Sequence, residues 1–228
     1  MARLVCISDT HTYHNELTLP DGDFLIHAGD FTKTGRAQDI ISFVRWFASQ
    51  PHKHKVLVAG NHDLTLDTAH YRNTWHRWHR YPEDEAMIRD YIEREESITY
   101  LQDREVTLGG LRIYGSPWQP EFGGWGFNLP RNSPQIKRVW DEIPTGLDLL
   151  VTHSPPYGIL DKVDSDSVGC SELLSALESA RPRVHVFGHI HEGYGTEARE
   201  HTFYINACSC DGGYKAVNNP IVYDLEEK

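Results

Sequence analysis

The sequence is short of cysteine and of positive charge, and it has no long apolar run. Its four cysteines, Cys6, Cys170, Cys208 and Cys210, have neither the CxxC pairing of zinc sites nor the density of a secreted disulfide scaffold. They read as reduced, buried thiols. No apolar stretch approaches the roughly 18 residues that a transmembrane helix needs, so no membrane partner is expected. Near the start, Arg3 is followed by an apolar stretch that Ser8 and Asp9 interrupt, so the apolar region of a signal peptide is missing and a cytoplasmic location is the expectation. Twenty-two basic against 33 acidic residues leave a formal charge of −11, which argues against extended nucleic-acid contacts and confines any phosphate site to a local one. Repeats, low-complexity tracts and linkers are absent. The length of 228 residues fits a single domain over 1–228 that buries a sizeable core without staples.

Histidine, by contrast, is abundant, with 14 residues. It is the commonest neutral nitrogen ligand for transition metals, so its placement matters. Short, nearly continuous apolar runs at 3–8, 24–28, 55–59, 148–152 and 184–187 have the pattern of strands buried on both faces. Each stops at polar groups. In chain order these are Asp9-Thr10-His11, Gly29-Asp30, Gly60-Asn61-His62-Asp63, His153, and Gly188-His189-Ile190-His191. A helix is expected over 38–50, where Ile40, Val44, Phe47 and Ala48 fall on one face. Two more are expected within 66–96, separated near Pro82, and others over 135–142 and 171–180. A hairpin around Gly109-Gly110 and two late strands, 202–207 and 221–225, complete the pattern. Strands alternating with helices favour a layered α/β architecture with ligands bound beyond the carboxyl ends of the strands.

One Asp-x-His or Asn-His at a strand end is ordinary turn chemistry, but five metal-binding endings in series are not. Together, D-x-H, G-D, G-N-H-D, H and G-H-x-H resemble the calcineurin-like metallophosphoesterases. The likeness spans Asp9 to His191. Two fuller stretches, Leu25-Ile26-His27-Ala28-Gly29-Asp30-Phe31-Thr32 and His191-Glu192-Gly193-Tyr194-Gly195, are similar to that family's small branch of metallophosphoesterase-domain proteins related to the vertebrate brain forms. Some members of that branch lack the first histidine of the final motif, which this chain keeps as His189. The resemblance implies a four-layer α/β/β/α sandwich, two mixed sheets flanked by helices, with a dinuclear hydrolytic centre. It places Asp30 between two divalent cations, with Asp9, His11 and His191 holding one and Asn61, His153 and His189 the other.

The residue types support this chemistry independently. Two cations about 3.5–4 Å apart need an anion between them, and a carboxylate can bridge. If Asp9 and His11 lie in extended chain, both side chains point to the same side, and the same holds for His189 and His191. Nitrogen and oxygen donors without thiolate suit Mn best, with Fe, Zn, Co or Ni also acceptable. A water shared by the two ions would lose a proton near neutral pH and attack phosphorus directly. His62 is then placed to donate a proton or hydrogen bond, and Asp63 either holds its ring or caps the following helix. His27 reads as a packed or supporting histidine, and the stripe Trp75, His76, Trp78 and His79, at helical spacing, as core and rim.

The loop from Trp118 through Phe122 and Trp125 to Asn128 either lines a substrate pocket or is buried for stability. In the first case its aromatic faces suit a base or aryl group beside the phosphate. Arg131 is a candidate phosphate contact. The leading expectation is a phosphodiesterase acting on small nucleotide-like or cyclic nucleotide esters. The alternatives are a phosphomonoesterase acting on phosphoproteins or metabolites, and a non-catalytic binding module.

Overall fold

The computed structural model describes residues 1–226. Two sheets lie face to face. The first contains β1 (Ala2–Ile7), β2 (Phe24–His27), β3 (His54–Val58), β4 (Ile98–Leu101) and β15 (Ile221–Leu225), in the order β15-β1-β2-β3-β4. The second contains β5 (Arg104–Leu108), β6 (Leu111–Ser116), β9 (Leu149–Thr152), β12 (Val184–Phe187), β13 (Gly195–Ala198) and β14 (Phe203–Asn206), in the order β13-β14-β12-β9-β6-β5. Two-residue pairs, β7 (Gln119–Pro120) with β8 (Asn128–Leu129) and β10 (Lys162–Val163) with β11 (Asp166–Ser167), brace the loops. Strands β1 to β4 run parallel, as do β6, β9, β12 and β14, while β15, β5 and β13 are antiparallel edges.

Continuous apolar strands follow from this layering, because both faces are covered. In β1, Leu4 and Cys6 enter the core between the sheets, while Val5 and Ile7 face the outer helices. The alternation repeats at Phe24 and Ile26 against Leu25, and at Val56 and Val58 against Leu57. Helix α1 (Ala37–Ser49) lays Ile40, Phe43, Val44 and Phe47 on the first sheet, beside α3 (Glu85–Glu93) with Ile88 and Ile92. On the second sheet, α4 (Pro134–Asp141) and α5 (Ser171–Ala180) bury Ile136, Trp140, Leu173 and Leu177. Three apolar layers thus separate four structural ones, the α/β/β/α sandwich. Each fully buried large side chain contributes roughly 1.5–3 kcal/mol, so the strand ends rest on a rigid base.

Two local expectations need correction. The stripe from Trp75 to His79 is not an α-helix: α2 (Thr68–Thr74) stops before it, and Trp75–Arg77 form a single 3₁₀ turn. His79 is buried there, bonded to the Tyr71 hydroxyl at 2.7 Å. Strand β13, with no apolar alternation, was invisible in the sequence because it is a half-exposed edge. Among the described residues no helix is long and apolar enough to cross a membrane, and all four cysteines are buried and free.

Candidate metal centre

The carboxyl ends of β1, β2, β3, β9 and β12 open onto one crevice, and the polar groups that follow them converge there. The route differs from the alternation expected of extended chain. Asp9, His11, Asp30 and His189 have φ of 51°, 41°, 57° and 68°, in the left-handed region, so sharp turns rather than strand pleats aim these side chains. Glycines let the turns approach each other. A Cβ at Gly60 would lie 2.2 Å from Asp30 Oδ1, and one at Gly188 2.0 Å from Asp9 Oδ2.

Imidazole orientation is set from outside the crevice. Nδ1 of His11, His62, His153 and His191 lies 3.2, 2.8, 2.9 and 2.8 Å from the carbonyls of Thr32, Lys33, Ala28 and Asp211. A carbonyl only accepts, so each Nδ1–H donates outward and each Nε2 faces inward, the arrangement that orients histidine ligands. His11 Nε2 and His191 Nε2 are 3.3 Å apart, and Asp9 Oδ1 is 3.4 Å from His191 Nε2 and 3.9 Å from His11 Nε2. On the other side, His153 Nε2 is 3.0 Å from Asn61 Oδ1 and 3.3 Å from Asp30 Oδ2, and a ring nitrogen of His189 joins them. Asp30 Oδ2 is also 4.0 Å from His11 Nε2 and 3.9 Å from His62 Nε2, so its carboxylate lies between the two groups.

Acceptor facing acceptor at these separations is repulsive unless a proton or a cation sits between them. Asp9 Oδ1 is buried with no hydrogen-bond partner among the described residues. An orphaned carboxylate oxygen amid inward-facing nitrogens fits divalent cations, and the donor types are those expected for Mn, Fe, Zn, Co or Ni.

The electrostatics show the same tension. Burial raises the Asp30 carboxyl, but the charge of His153, then that of His62, outweighs it and holds the group well below the carboxylate range. Burial depresses His153 and His191, yet Asp30 and Asp9 respectively bring both up to about 9. His11 and His189, buried among other imidazoles, fall to about 4 and about 3.

Several expectations about the surroundings change. The Asp63 side chain bonds neither the His62 ring nor a backbone N–H of the 3₁₀ turn Leu64–Leu66 that it precedes. Its carboxylate accepts from the backbone of Asp30, Thr32 and Gly60 and from the Thr32 hydroxyl, at 2.7–3.0 Å, so it fastens two turns of the crevice together. Burial, then repulsion from Asp30, lifts it to about 7 against those donors. Trp118 points its indole N–H at Asp103, 2.8 Å away, and packs on Phe127, so it does not line the cavity beside the crevice. Trp125 stacks on His62 with ring centroids 3.9 Å apart, and Trp78 stacks on Trp125 at 4.0 Å. Phe122 and Arg131 do line that cavity, which holds about 350 Å³ and has His189 and His191 in its wall. The Arg131 guanidinium is committed to the carbonyls of Gly169 and Val168 at 2.9 and 2.6 Å. His27 bonds Thr10 and packs on Phe43, outside the converging set of donor atoms.

Two neighbours escaped the sequence reading. Tyr214, behind the Gly212-Gly213 turn, sets its ring 4.8 Å from His11 and 5.3 Å from His191. Cys208, just beyond β14, touches Asp9. The turn was a visible signal for the first, whereas nothing in the sequence linked Cys208 to a carboxylate 199 positions earlier.

Comparison with known proteins points the same way. Metallophosphoesterase domain-containing protein 1 of Homo sapiens is 46% identical over 231 residues, covering 98% of this chain and 71% of that protein. UPF0046 protein K07C11.7 of Caenorhabditis elegans is 39% identical, covering 99% and 76%. Among solved structures, TT1561 of Thermus thermophilus superposes with a TM-score of 0.55 at 13% identity over 90% of this chain and 88% of that one, which supports the fold. Another solved chain gives 0.68 at 15% identity over 90% of each. Residues 2–193 match the family model for calcineurin-like phosphoesterase, a span that contains every strand end feeding the crevice, and the chain therefore belongs to that family of metal-dependent phosphoester hydrolases.

Proposed function

We propose that the protein is a phosphodiesterase for small, nucleotide-like esters, working on two divalent cations held by Asp9, His11 and His191 on one side and Asn61, His153 and His189 on the other, with Asp30 between. The observation that carries the two-ion reading is the inward convergence of these nitrogen and oxygen atoms on two neighbouring points of one crevice. When bound, such a pair of cations, with manganese the first choice, supplies an activated water and neutralises the phosphoryl oxygens.

The chain's own residues do the rest. His62 offers Nε2 to the crevice while the Lys33 carbonyl and the Trp125 face fix its ring, so in its protonated form it can hand a proton to the departing alkoxide. Asp63 keeps Asp30 and the Gly60 turn in register. The cavity favours a diester. Its walls are mostly apolar, with Pro120, Phe122, Val163, Val168 and Ile190, and it contains Glu192. Its one arginine is already occupied by carbonyls, so outside the metal centre it offers no cationic clamp for the second charge of a monoester. Phe122 and Tyr214 give flat faces on which a base can stack. Buried free thiols suit a cytoplasmic setting.

Manganese-loaded protein is expected to hydrolyse bis-p-nitrophenyl phosphate faster than p-nitrophenyl phosphate, with Asp30→Ala removing both activities. A reversed ratio would point to a phosphomonoesterase. Absence of turnover with every divalent metal would end the proposal.

A further inference from the structure

The two oxygens of Asp9 are treated differently by their surroundings. Oδ1 faces His191 and His11 and has no hydrogen-bond donor among the described residues. Oδ2 has two, the backbone N–H of His189 at 2.9 Å and the thiol of Cys208 at 3.1 Å. A thiolate at that distance would repel the carboxylate, so Cys208 donates as S–H. Its position is not accidental backbone drift. Residue 208 forms a bridge with Ser8, next to Asp9, and Ser209 N–H bonds the Ser8 carbonyl at 2.7 Å. The neighbouring Ala207 N–H bonds Phe187 at the end of β12, and the Cys208 carbonyl accepts from the Asn218 side chain at 3.0 Å. The thiol is thus carried by a segment tied to the ends of both sheets, and it is fully buried.

We infer that Cys208 is a positioning residue for the metal centre: its S–H, with the His189 N–H, saturates Oδ2 of Asp9, fixes the carboxylate plane and leaves Oδ1 as the single oxygen turned to a cation. This rests on Asp9 being a ligand, as proposed above. Without the thiol the carboxylate keeps one donor and can swing, which weakens the ion it holds and spares the other. Supporting hydrogen bonds of this kind typically change metal affinity by roughly 10–100-fold.

The test is calorimetric titration of the metal-stripped protein with manganese, independent of turnover. Cys208→Ala is expected to weaken one of two ions by roughly 10–100-fold, and Cys208→Ser, which retains a hydroxyl donor, to restore most of that loss. Asp9→Asn serves as the control for the underlying reading. If Asp9→Asn binds manganese like the wild type, the assignment of Asp9 as a ligand fails. If Asp9→Asn loses an ion while Cys208→Ala binds normally, the role of Cys208 alone fails. Equal losses in the Ala and Ser variants would also overturn it. A measurement on the unaltered protein completes the test: loading with cobalt should give no sulfur-to-cobalt charge-transfer absorption in the near ultraviolet, and such a band would make Cys208 a ligand and overturn its role as a hydrogen-bond donor.

Discussion

His62→Ala isolates proton donation from metal binding. The ring donates Nδ1–H to the Lys33 carbonyl, stacks on Trp125, and stops 3.9 Å from Asp30 Oδ2, outside both proposed ligand sets. Its removal should leave two manganese ions bound. A positioned general acid contributes roughly 10²–10⁴-fold in rate, which corresponds to about 2.7–5.4 kcal/mol of barrier. The size of the loss must depend on the leaving group. A nitrophenolate departs without a proton, so bis-p-nitrophenyl phosphate should lose only about tenfold, the worth of one hydrogen bond of about 1.4 kcal/mol. A cyclic nucleotide, which releases a sugar alkoxide, should lose the full amount. The assay is kcat for the two esters, in wild type and variant, at saturating manganese with ion content measured alongside. Equal losses for both esters would refute proton donation by His62. Loss of an ion would place the residue among the ligands instead.

Two further outcomes follow from the electrostatics and hydrogen bonding. His153 and His191, both raised to about 9 by neighbouring carboxylates against the opposing effect of burial, each carry a proton at pH 7 when no metal is bound. A cation requires the bare nitrogens, so manganese loading at pH 7 should release about two protons and affinity should rise with pH up to about 9. Titrations in buffers of different ionisation heat measure this, and zero net release would contradict it. Asp63→Ala strands three backbone N–H groups in a buried site, while the Thr32 hydroxyl keeps the His62 carbonyl as acceptor, so urea unfolding should report a loss of about 3–5 kcal/mol; a change under about 1 kcal/mol would mean that water or relaxation replaces the carboxylate.

The sequence exposed the strands because each is buried on both faces. The uninterrupted run Leu4-Val5-Cys6-Ile7 feeds two different cores, and that pattern survives without any knowledge of neighbours. Polar endings were legible for the same reason, since a strand end is where side chains reach a crevice. Their aiming was not. Convergence of Asp9 with His11 depends on left-handed turns, which the extended-chain argument did not anticipate, although Asp and His tolerate that region better than most residues. Backbone carbonyls were equally hidden. Thr32, Lys33, Ala28 and Asp211 orient four histidines through main-chain oxygens that any residue could supply, so residue identity carries no trace of the role. The aromatic loop divided: Phe122 lines the cavity and Trp125 braces His62, while Trp118 turned to Asp103 because its indole N–H needs a partner when half-buried.

The distribution of strain bears on whether this fold acts as a catalyst or only as a surface. Asp9, His11, Asp30 and His189, none of them glycine, occupy a backbone region that costs of order 1–3 kcal/mol per residue. The same turns press Nε2 of His11 against that of His191, and Nε2 of His153 against Asn61 and Asp30. Both penalties fall in one crevice and are sustained by strands locked between apolar layers. A binding module that used only the outer surface would gain nothing from keeping them. Without metal, the protons that His153 and His191 hold relieve part of this crowding; divalent cations in place of those protons would turn all the facing acceptors into shared ligands, so the geometry suits a metal centre better than an inert surface.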